Sequence, residues 1–279
     1  MTIRKITRRT FATLAGAAAG AASLGLPAIA AESSLQRVKA SGVLRVAGVP
    51  DGVPYYQRDL ATGKWRGFYV DICQKLADDL GLKMELAETT WGNSVLDLQA
   101  NKLDVFFGLN PTPARKEVID FSVPVFNNAF TLVARKGLTG TTWADFDKPE
   151  IRISVDAGSS NDAAATRNCP KATITRLKTQ SDATTALQAG RADAQCLALI
   201  LSLALKAKVP AIGDLVIPAP FDATTSNAGF RREDDKSWQE FVSDWIGKQR
   251  ESGFVKEAIV RNMALVGVKE SDFPPGFSI

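Results

Sequence analysis

The sequence of 279 residues contains no histidine. Because histidine is the base of Ser-His-Asp and Cys-His sites, its absence excludes those catalytic arrangements and every His-ligated metal site. The chain also lacks a glycine-rich dinucleotide motif, a phosphate-binding P-loop, a GxSxG elbow and a CxxC pair. We therefore expect neither a metal nor a cofactor, and no residue is assigned a catalytic role.

Cysteine is scarce, with only Cys73, Cys169 and Cys196. An odd number cannot all pair within one chain, so a disulfide-dense scaffold is not indicated. The pattern places Cys73 among the core-facing residues of a helix, where a thiol behaves as a small hydrophobic group. Two interpretations stay open for the other two cysteines: a Cys169–Cys196 disulfide, or buried structural thiols.

Acidic residues are missing from the first thirty positions, which hold Arg4, Lys5, Arg8 and Arg9. The whole chain has 34 basic and 30 acidic residues, a formal charge of +4. Removing this segment leaves equal numbers of both, so the basic character belongs to the N-terminus. A nucleic-acid-binding surface is therefore not predicted, because such a surface needs an excess of basic side chains.

Long runs of Leu, Ile and Val are also missing from the N-terminus, where residues 11–26 are mostly Ala and Gly. A basic stretch, this apolar run and the small residues Ala28 and Ala30 predict a signal peptide over residues 1–30, cleaved before Ala31. The alternative, a membrane anchor, is disfavoured by the low hydrophobicity of the run. Paired Arg8 and Arg9 favour twin-arginine export and a location in the periplasm.

The rest of the chain alternates between short apolar strands and helices with one apolar face, which predicts an α/β fold with parallel sheets flanked by helices. The order occurs twice, which indicates two lobes. The first set comprises strands at 43–47, 83–88 and 103–107 with helices at 67–80 and 94–100; the second comprises strands at 151–155, 172–175 and 192–197 with helices at 161–167 and 183–189.

Two extended segments, residues 129–134 and 226–231, are predicted to cross between these lobes. Lobe 1 would then comprise residues 31–131 and 226–279, and lobe 2 residues 132–225. Open α/β sheets bind ligands at the carboxyl ends of their strands, so we expect the ligand in the cleft between the lobes.

One segment directly follows an apolar strand and carries the clearest binding signal, the stretch GLNPTPAR at 108–115. Thr112 and Pro113 are typical of a helix N-cap and first helical residue. Arg115 then lies in the first turn, where a cation opposes the helix dipole unless an anion lies beside it. The residues therefore predict an anion-binding arginine; the alternative is a surface arginine paired with an acid such as Asp120.

Taken in order, a set of short motifs resembles the family 3 extracellular solute-binding proteins, the periplasmic amino-acid receptors of ABC transporters. The resemblance extends from about residue 40 to 268 and implies a two-lobed periplasmic-binding-protein fold of type II. The matching stretches are GVLRV (42–46), GFYVDI (67–72), LQANKLD (98–104), TPAR (112–115) with DFS (120–122), GSS (158–160), GRADA (190–194) and GFRR (229–232).

The resemblance implies roles for individual residues. Arg115 would grip the α-carboxylate of the ligand, a pairing that suits the guanidinium fork. Gly108 and Asn110 would contact the polar end of the ligand. Ser159 and Ser160, at a helix N-terminus of the other lobe, would complete the carboxylate site; helix capping is their structural alternative.

Two further positions concern the body of the ligand. Trp91 occupies a position that often forms an apolar wall in the family, although core packing explains it equally well. Phe107 replaces a residue that is usually small or polar, which implies an apolar pocket.

The sequence departs from the family where the ligand's α-ammonium normally binds. Ala198 replaces the usual Asp, and Val49 replaces an acid often found earlier in the chain. Because a buried ammonium without a carboxylate partner is costly, either the ligand lacks a free ammonium or Asp51 or Asp222 supplies the charge.

The resemblance thus implies a periplasmic receptor, monomeric, that binds a small carboxylate-bearing solute, an amino acid or related organic acid, and delivers it to the permease of an ABC transporter in the inner membrane. The alternative is a lyase similar to periplasmic cyclohexadienyl dehydratase, which needs a general acid that the sequence does not identify. A third, the sensor domain of a signalling kinase, would need a transmembrane helix, which the chain lacks up to Ile279.

Overall fold

A computed structural model describes residues 32–274 and Phe277. The predicted signal peptide, residues 1–30, and its cleavage before Ala31 lie outside the described residues. Within the described part, no helix is both long enough and apolar enough to cross a membrane.

The first set of elements, which we call unit A (residues 43–109), is preceded by α1 (Ser34–Ala40). Its longest helix, α2, buries Phe68, Ile72 and Leu76 on one face and ends at Gly81, whose left-handed backbone suits glycine. The elements of unit A are β1 (Val43–Gly48), β2 (Gln57–Arg58), β3 (Trp65–Arg66), α2 (Phe68–Leu80), β4 (Lys83–Glu88), α3 (Asn93–Gln99) and β5 (Phe106–Leu109).

Two long strands follow the short helix α4 (Pro113–Lys116): β6 (Ile119–Ala134) and, much later in the chain, β11 (Ala223–Arg231). They pair with each other in antiparallel fashion. Residues 227–229 of β11 pair with β5 of unit A. Residues 130–134 of β6 pair with a strand of the second set. These two strands therefore connect the two halves of the molecule, and the predicted boundaries at residues 131 and 226 fall within them.

Two buried tyrosines attach the connecting strands to unit A. Asn128 of β6 donates its Nδ2–H to the hydroxyl of Tyr55 at 2.7 Å. The hydroxyl of Tyr69, on α2, is hydrogen-bonded to that of Ser226 on β11. Each connecting strand is thus held on the unit A side by a side-chain hydrogen bond.

The second set, unit B (residues 152–198), repeats the strand–helix order, with α5 (Trp143–Phe146) before it. Its strands β7, β8 and β9 are parallel. Its elements are β7 (Arg152–Asp156), α6 (Ser160–Asn168), β8 (Thr173–Leu177), α7 (Gln180–Gln188) and β9 (Ala194–Ala198). The other elements after unit B are α8 (Leu199–Lys208), β10 (Asp214–Val216), α9 (Ser237–Glu251) and α10 (Phe254–Ala264).

Several sequence predictions need correction. The main sheet is mixed rather than parallel, because β6, β10 and β11 run antiparallel to their neighbours. The strand predicted at 103–107 lies at Phe106–Leu109, and the one predicted at 129–134 begins at Ile119. Helix α8 was not predicted, since its nearly continuous apolar sequence hides the helical period.

Two hydrophobic clusters form the core. The larger contains the side chains of unit A, among them Tyr56, Tyr69 and Phe106, and extends to α9 and α10. The smaller lies within unit B and around α5, and includes Cys169 and Cys196. All three cysteines are buried free thiols, so the disulfide interpretation is not what the structure shows.

Candidate functional site

Arg115 is placed as its local sequence predicts. Thr112 caps α4, and its Oγ1 accepts a hydrogen bond from the backbone N–H of Arg115 at 3.3 Å. Pro113 occupies the first turn, where its missing N–H costs nothing. The side chain of Arg115 is only 6% exposed, so its charge is removed from water.

The guanidinium of Arg115 contacts three backbone carbonyls. It donates to the oxygen of Trp91 at 2.9 Å, of Gly158 at 3.3 Å and of Asn110 at 3.4 Å. None of the described carboxylates is in ion-pair contact with it. The surface alternative is therefore wrong, because Asp120 instead pairs with Lys236 at 2.5 Å and with Arg232 at 3.5 Å.

The electrostatics of Arg115 follow from this burial. Loss of water lowers the pKa of Arg115 to about 10, and the negative charge of Asp156 opposes this shift. The side chain therefore remains protonated at neutral pH. A buried cation whose contacts are carbonyls has unused capacity for a charged partner, which makes it a candidate anion-binding group.

Asn110, Ser159 and Ser160 lie at the same place. The hydroxyl of Ser160 donates to Oδ1 of Asn110 at 2.7 Å, while Nδ2 of Asn110 donates to the carbonyl of Thr225 at 2.8 Å. Ser159 caps α6, and its Oγ accepts the N–H of Asp162 at 3.1 Å. The helix start predicted at these serines is therefore present.

Trp91 and Gly108 are adjacent. Trp91 packs edge-on against Tyr55, and its indole N–H is buried without a hydrogen-bond acceptor among the described residues. Gly108 has a φ of +98°, and a Cβ there would lie 3.0 Å from Tyr69 and 3.1 Å from Trp91. Only glycine fits this position, because a side chain would be strained and would displace the indole.

Phe107 lies deeper than Trp91. It is fully buried in the larger core, with its ring 5.7 Å from that of Tyr69. Its carbonyl accepts a hydrogen bond from the hydroxyl of Tyr56 at 2.9 Å. The structure thus places Phe107 in the core against Tyr69.

The loops of the two units approach closely beside Arg115. A Cβ at Gly92 would lie 2.5 Å from the carbonyl oxygen of Ala157. On the same side, Oδ2 of Asp51 accepts the backbone N–H of Ser181, in the first turn of α7, at 2.7 Å. The Asp51 loop is next to Trp91, since a Cβ at Gly52 would lie 3.0 Å from the indole ring.

Asp222, the other acid considered for the ammonium, is occupied elsewhere. It pairs with Arg167 at 2.5 Å and accepts from Nδ2 of Asn168 at 2.6 Å. Ala198 is buried at the start of α8. Neither residue therefore provides a free carboxylate at the site.

Sequence reasoning missed Asp156, the last residue of β7, which is 4% exposed. Burial raises the pKa of Asp156, whereas hydrogen bonds from Asn161 and Ser159 lower it and the charge of Asp51 raises it further. An acid at the carboxyl end of a predicted parallel strand, directly before GSS, is a signal that could have identified it. No group of three His, Cys, Asp or Glu side chains suited to a metal occurs in the described residues.

The chain was compared with known proteins. The model of a family described as "Bacterial extracellular solute-binding proteins, family 3" matches residues 44–262. The cyclohexadienyl dehydratase of Pseudomonas aeruginosa is 28% identical over 239 residues, which cover 82% of this chain and 85% of that enzyme. The L-cystine-binding protein of Escherichia coli is 29% identical over 140 residues, which cover 50% of this chain and about half (52%) of that protein.

Solved structures agree with this picture. The ancestral amino acid-binding protein AncCDT-1, described as a precursor of cyclohexadienyl dehydratase, superposes with a TM-score of 0.74 at 27% identity, covering 83% of this chain and 100% of that chain. The solute receptor for L-cysteine of Neisseria gonorrhoeae gives 0.75 at 25% identity, covering 87% and 97%. The predicted fold class, a two-lobed α/β periplasmic-binding-protein fold of type II, is therefore confirmed.

Proposed function

This chain belongs to the bacterial extracellular solute-binding proteins, family 3, and on that premise we propose that it binds a small carboxylate-bearing solute and delivers it to an ABC importer. The solute is an amino acid or a related organic acid. Relatives named as binding proteins for L-cystine and glutamine support the amino-acid class. The partner is a permease of the inner membrane, and the receptor acts as a monomer.

The observation that carries this proposal is the guanidinium of Arg115, buried among three carbonyls and without an ion pair to any described acid. A carboxylate placed there gains a charge-assisted, bidentate pairing and relieves the cost of the buried cation. The unpaired indole N–H of Trp91, whose own carbonyl contacts Arg115, is a second donor for that carboxylate.

The remaining site residues shape the polar end of the ligand. Asn110 and Ser160, joined by a hydrogen bond at 2.7 Å, exchange this bond for contacts with the ligand. Gly108 leaves room for the indole of Trp91, and Asp51 binds the start of α7 from across the cleft. The aromatic rings behind them favour a ligand with an apolar body.

Lobe closure accompanies binding in this proposal. Lobe 1 comprises residues 31–131 and 226–279, and lobe 2 residues 132–225, with β6 and β11 as the connecting strands. Hydrogen bonds from Arg115 to Gly158 and from Ser160 to Asn110 cross this boundary. A ligand that contacts Arg115 and Asn110 of lobe 1 together with Ser160 of lobe 2 should therefore stabilise the closed arrangement.

Export to the periplasm through the twin-arginine route belongs to the same proposal, since the family is extracellular. Replacing both Arg8 and Arg9 with Lys should leave the unprocessed precursor in the cytoplasm, as seen by cell fractionation. Lysine keeps the charge of the leader, so unchanged processing would assign export to the general secretory route instead.

The decisive experiment is a calorimetric screen of the twenty common amino acids and their deaminated organic acids against the mature protein, with mass spectrometry of any solute that co-purifies. One or a few ligands should bind, raise the melting temperature by mass action and reduce the radius of gyration in solution scattering, while the mass stays that of a monomer. If no amino acid or organic acid binds, the receptor proposal is overturned.

A second function, a dehydratase acting on a cyclohexadienyl carboxylate, is favoured by the likeness to the Pseudomonas enzyme over 85% of its length. Asp156 is a buried carboxyl with a raised pKa, which is what a general acid requires. Incubation with prephenate separates the two: catalytic turnover would establish the lyase, and binding without turnover the receptor.

A further inference from the structure

The site holds two opposite charges that do not touch each other. Asp156 is buried, and its negative charge raises the pKa of Arg115. The two side chains nevertheless form no ion pair. Direct contact would satisfy both groups, since an unpaired buried charge is costly. Their separation leaves a cation on the unit A side of the site and an anion on the unit B side.

The anionic side also carries buried acceptors that lack donors. Nδ2 of Asn161 donates to Oδ1 of Asp156 at 3.1 Å, while the amide oxygen of Asn161 has no partner among the described residues. The amide oxygen of Gln180 is equally unpaired. Both side chains are more than nine-tenths buried, at 3% and 8% exposure, so water does not readily replace a missing partner.

These groups share one place in the fold. Asp156 ends β7, Asn161 lies in the first turn of α6, and Gln180 begins α7 directly after β8. Strands β7 and β8 are parallel and paired at Asp156 and Leu177, so the three polar groups lie at the same edge of the sheet. Asp51 reaches this edge from unit A, because it accepts the N–H of Ser181.

We propose that Asp156, Asn161 and Gln180 form the subsite for the ligand's α-ammonium group, in place of the acid missing at Ala198. An ammonium group has three N–H donors and one positive charge. It therefore matches one carboxylate and two amide oxygens, whereas a hydroxyl or an apolar group would leave most of them unpaired. The ligand is then a zwitterion, an α-amino acid, whose carboxylate lies on Arg115.

This assignment rests on the proposed function, because it supposes a ligand whose carboxylate binds Arg115. It also decides between the alternatives that the sequence left open. The ligand keeps its free ammonium, and the counter-charge comes from Asp156 rather than from Asp222, which is paired with Arg167, or from Asp51, which accepts the N–H of Ser181.

The test uses three probes derived from the amino acid that binds most tightly in the screen: the amino acid itself, its deaminated carboxylic acid, and its decarboxylated amine. Binding is measured by calorimetry on wild type, Asp156→Asn, Gln180→Leu and Ala198→Asp. Asp193→Asn is the matched control, since Asp193 is a buried carboxylate of unit B bound to Arg135 and Arg152.

Wild type should prefer the amino acid to its deaminated analogue. Asp156→Asn should weaken amino-acid binding about 10- to 150-fold, the range for losing a hydrogen bond to a charged group, with little effect on the deaminated acid. Gln180→Leu preserves volume and should weaken it about 2- to 10-fold. Asp193→Asn should leave the ratio of the two affinities unchanged.

Unchanged selectivity in both Asp156→Asn and Gln180→Leu would overturn the subsite, even while Arg115→Ala weakens binding and the proposed function stands. A wild type that prefers the deaminated acid, with Ala198→Asp restoring the preference for the amino acid, would also overturn it. Should Asp156→Asn fail to fold, the Gln180→Leu ratio alone decides. Failure of every compound in the screen to bind would instead contradict the proposed function.

Discussion

Units A and B contain the same hydrogen-bonded arrangement of one arginine and one aspartate, which we call the shared device. In unit A, Arg45 of β1 donates its backbone N–H to Asp104 at 2.7 Å and its guanidinium to the carbonyl of Asn101 at 2.7 Å. In unit B, Arg152 of β7 donates likewise to Asp193 at 3.0 Å and to the carbonyl of Gly190 at 2.9 Å. Each arginine thus ties the first strand of its unit to the turn before a later strand.

The units differ where their strands end at the site. Unit A leads into the cationic Arg115 and carries the aromatic Trp91, with tyrosines behind them. The strands of unit B end at hydrogen-bond acceptors, namely the carboxylate of Asp156 and the amide oxygens of Asn161 and Gln180. The comparison teaches that the two units share an arrangement we expect to serve folding, whereas they differ in charge at the strand ends, where we propose that the ligand is selected.

The cationic side can be removed with Arg115→Ala. Loss of one partner from a desolvated charge pair costs about 2–5 kcal/mol, so the affinity for the tightest amino acid should fall roughly thirty-fold to several-thousand-fold. Calorimetry measures the change, with Arg232→Ala as control, because Arg232 is an exposed arginine that pairs with Asp120. An Arg115→Ala affinity within about threefold of wild type would contradict the carboxylate role.

The approach between the units can be blocked with Gly92→Ala. The new Cβ would lie 2.5 Å from the carbonyl of Ala157, so the close arrangement should be strained while each unit folds normally. Overpacking of this kind costs about 1–3 kcal/mol, which corresponds to a loss of affinity of about 5- to 150-fold.

Gly247→Ala is the matched control, because a Cβ there has no neighbour within 4 Å. Solution scattering of the ligand-bound variants should show Gly92→Ala more open than Gly247→Ala. Equal affinity and equal scattering would show that the contact at Gly92 plays no part in closure.

The shared device can be broken in either unit with Asp104→Asn or Asp193→Asn. Both carboxylates are largely buried, but their arginine partners are about 40–50% exposed, so solvent screening reduces the effect. We expect each variant to lose about 1–2 kcal/mol of unfolding free energy in urea titrations. If only one of the two variants loses stability, the two arrangements are alike in geometry but not in their contribution to the unfolding free energy.

The Asp193 variant has a further signature in acid. Hydrogen bonds from Arg152 and then Arg135 hold the pKa of Asp193 far below its usual range. A carboxyl with a depressed folded pKa contributes stability above its unfolded pKa of about 4 and loses that contribution as the pH falls below it. Asp193→Asn should therefore be less acid-sensitive than wild type between about pH 4 and pH 2.

The smallest effect concerns the protonation of Arg115. Because its pKa is lowered to about 10, affinity for the deaminated acid, which does not titrate there, should be constant near neutral pH and decrease above about pH 10. Arg115→Lys should move this decrease to lower pH, since lysine has the lower ordinary pKa. A flat profile through pH 10.5 or so for both proteins would contradict a titrating cation at the site.

Local signals explain which features the sequence could predict. The apolar spacing of α2 and the capping pair Thr112 and Pro113 act over a few residues, so their elements and boundaries were predictable. The carbonyl contacts of Arg115 come from positions up to 43 residues away in sequence. The role of Asp156 depends on its burial, which only the packed strands determine.

The hydrogen bonds of Tyr55 with Asn128 and of Tyr69 with Ser226 have a mechanical consequence. They clamp β6 to unit A at Asn128 and β11 at Ser226, while β6 is paired with β9 of unit B from Phe130 onward. If the lobes close as proposed, we expect β6 to bend near Ala129, between these two attachments. Tyr55→Phe and Tyr69→Phe would release the clamps and lengthen the stretch that can bend, without altering any group assigned to the ligand.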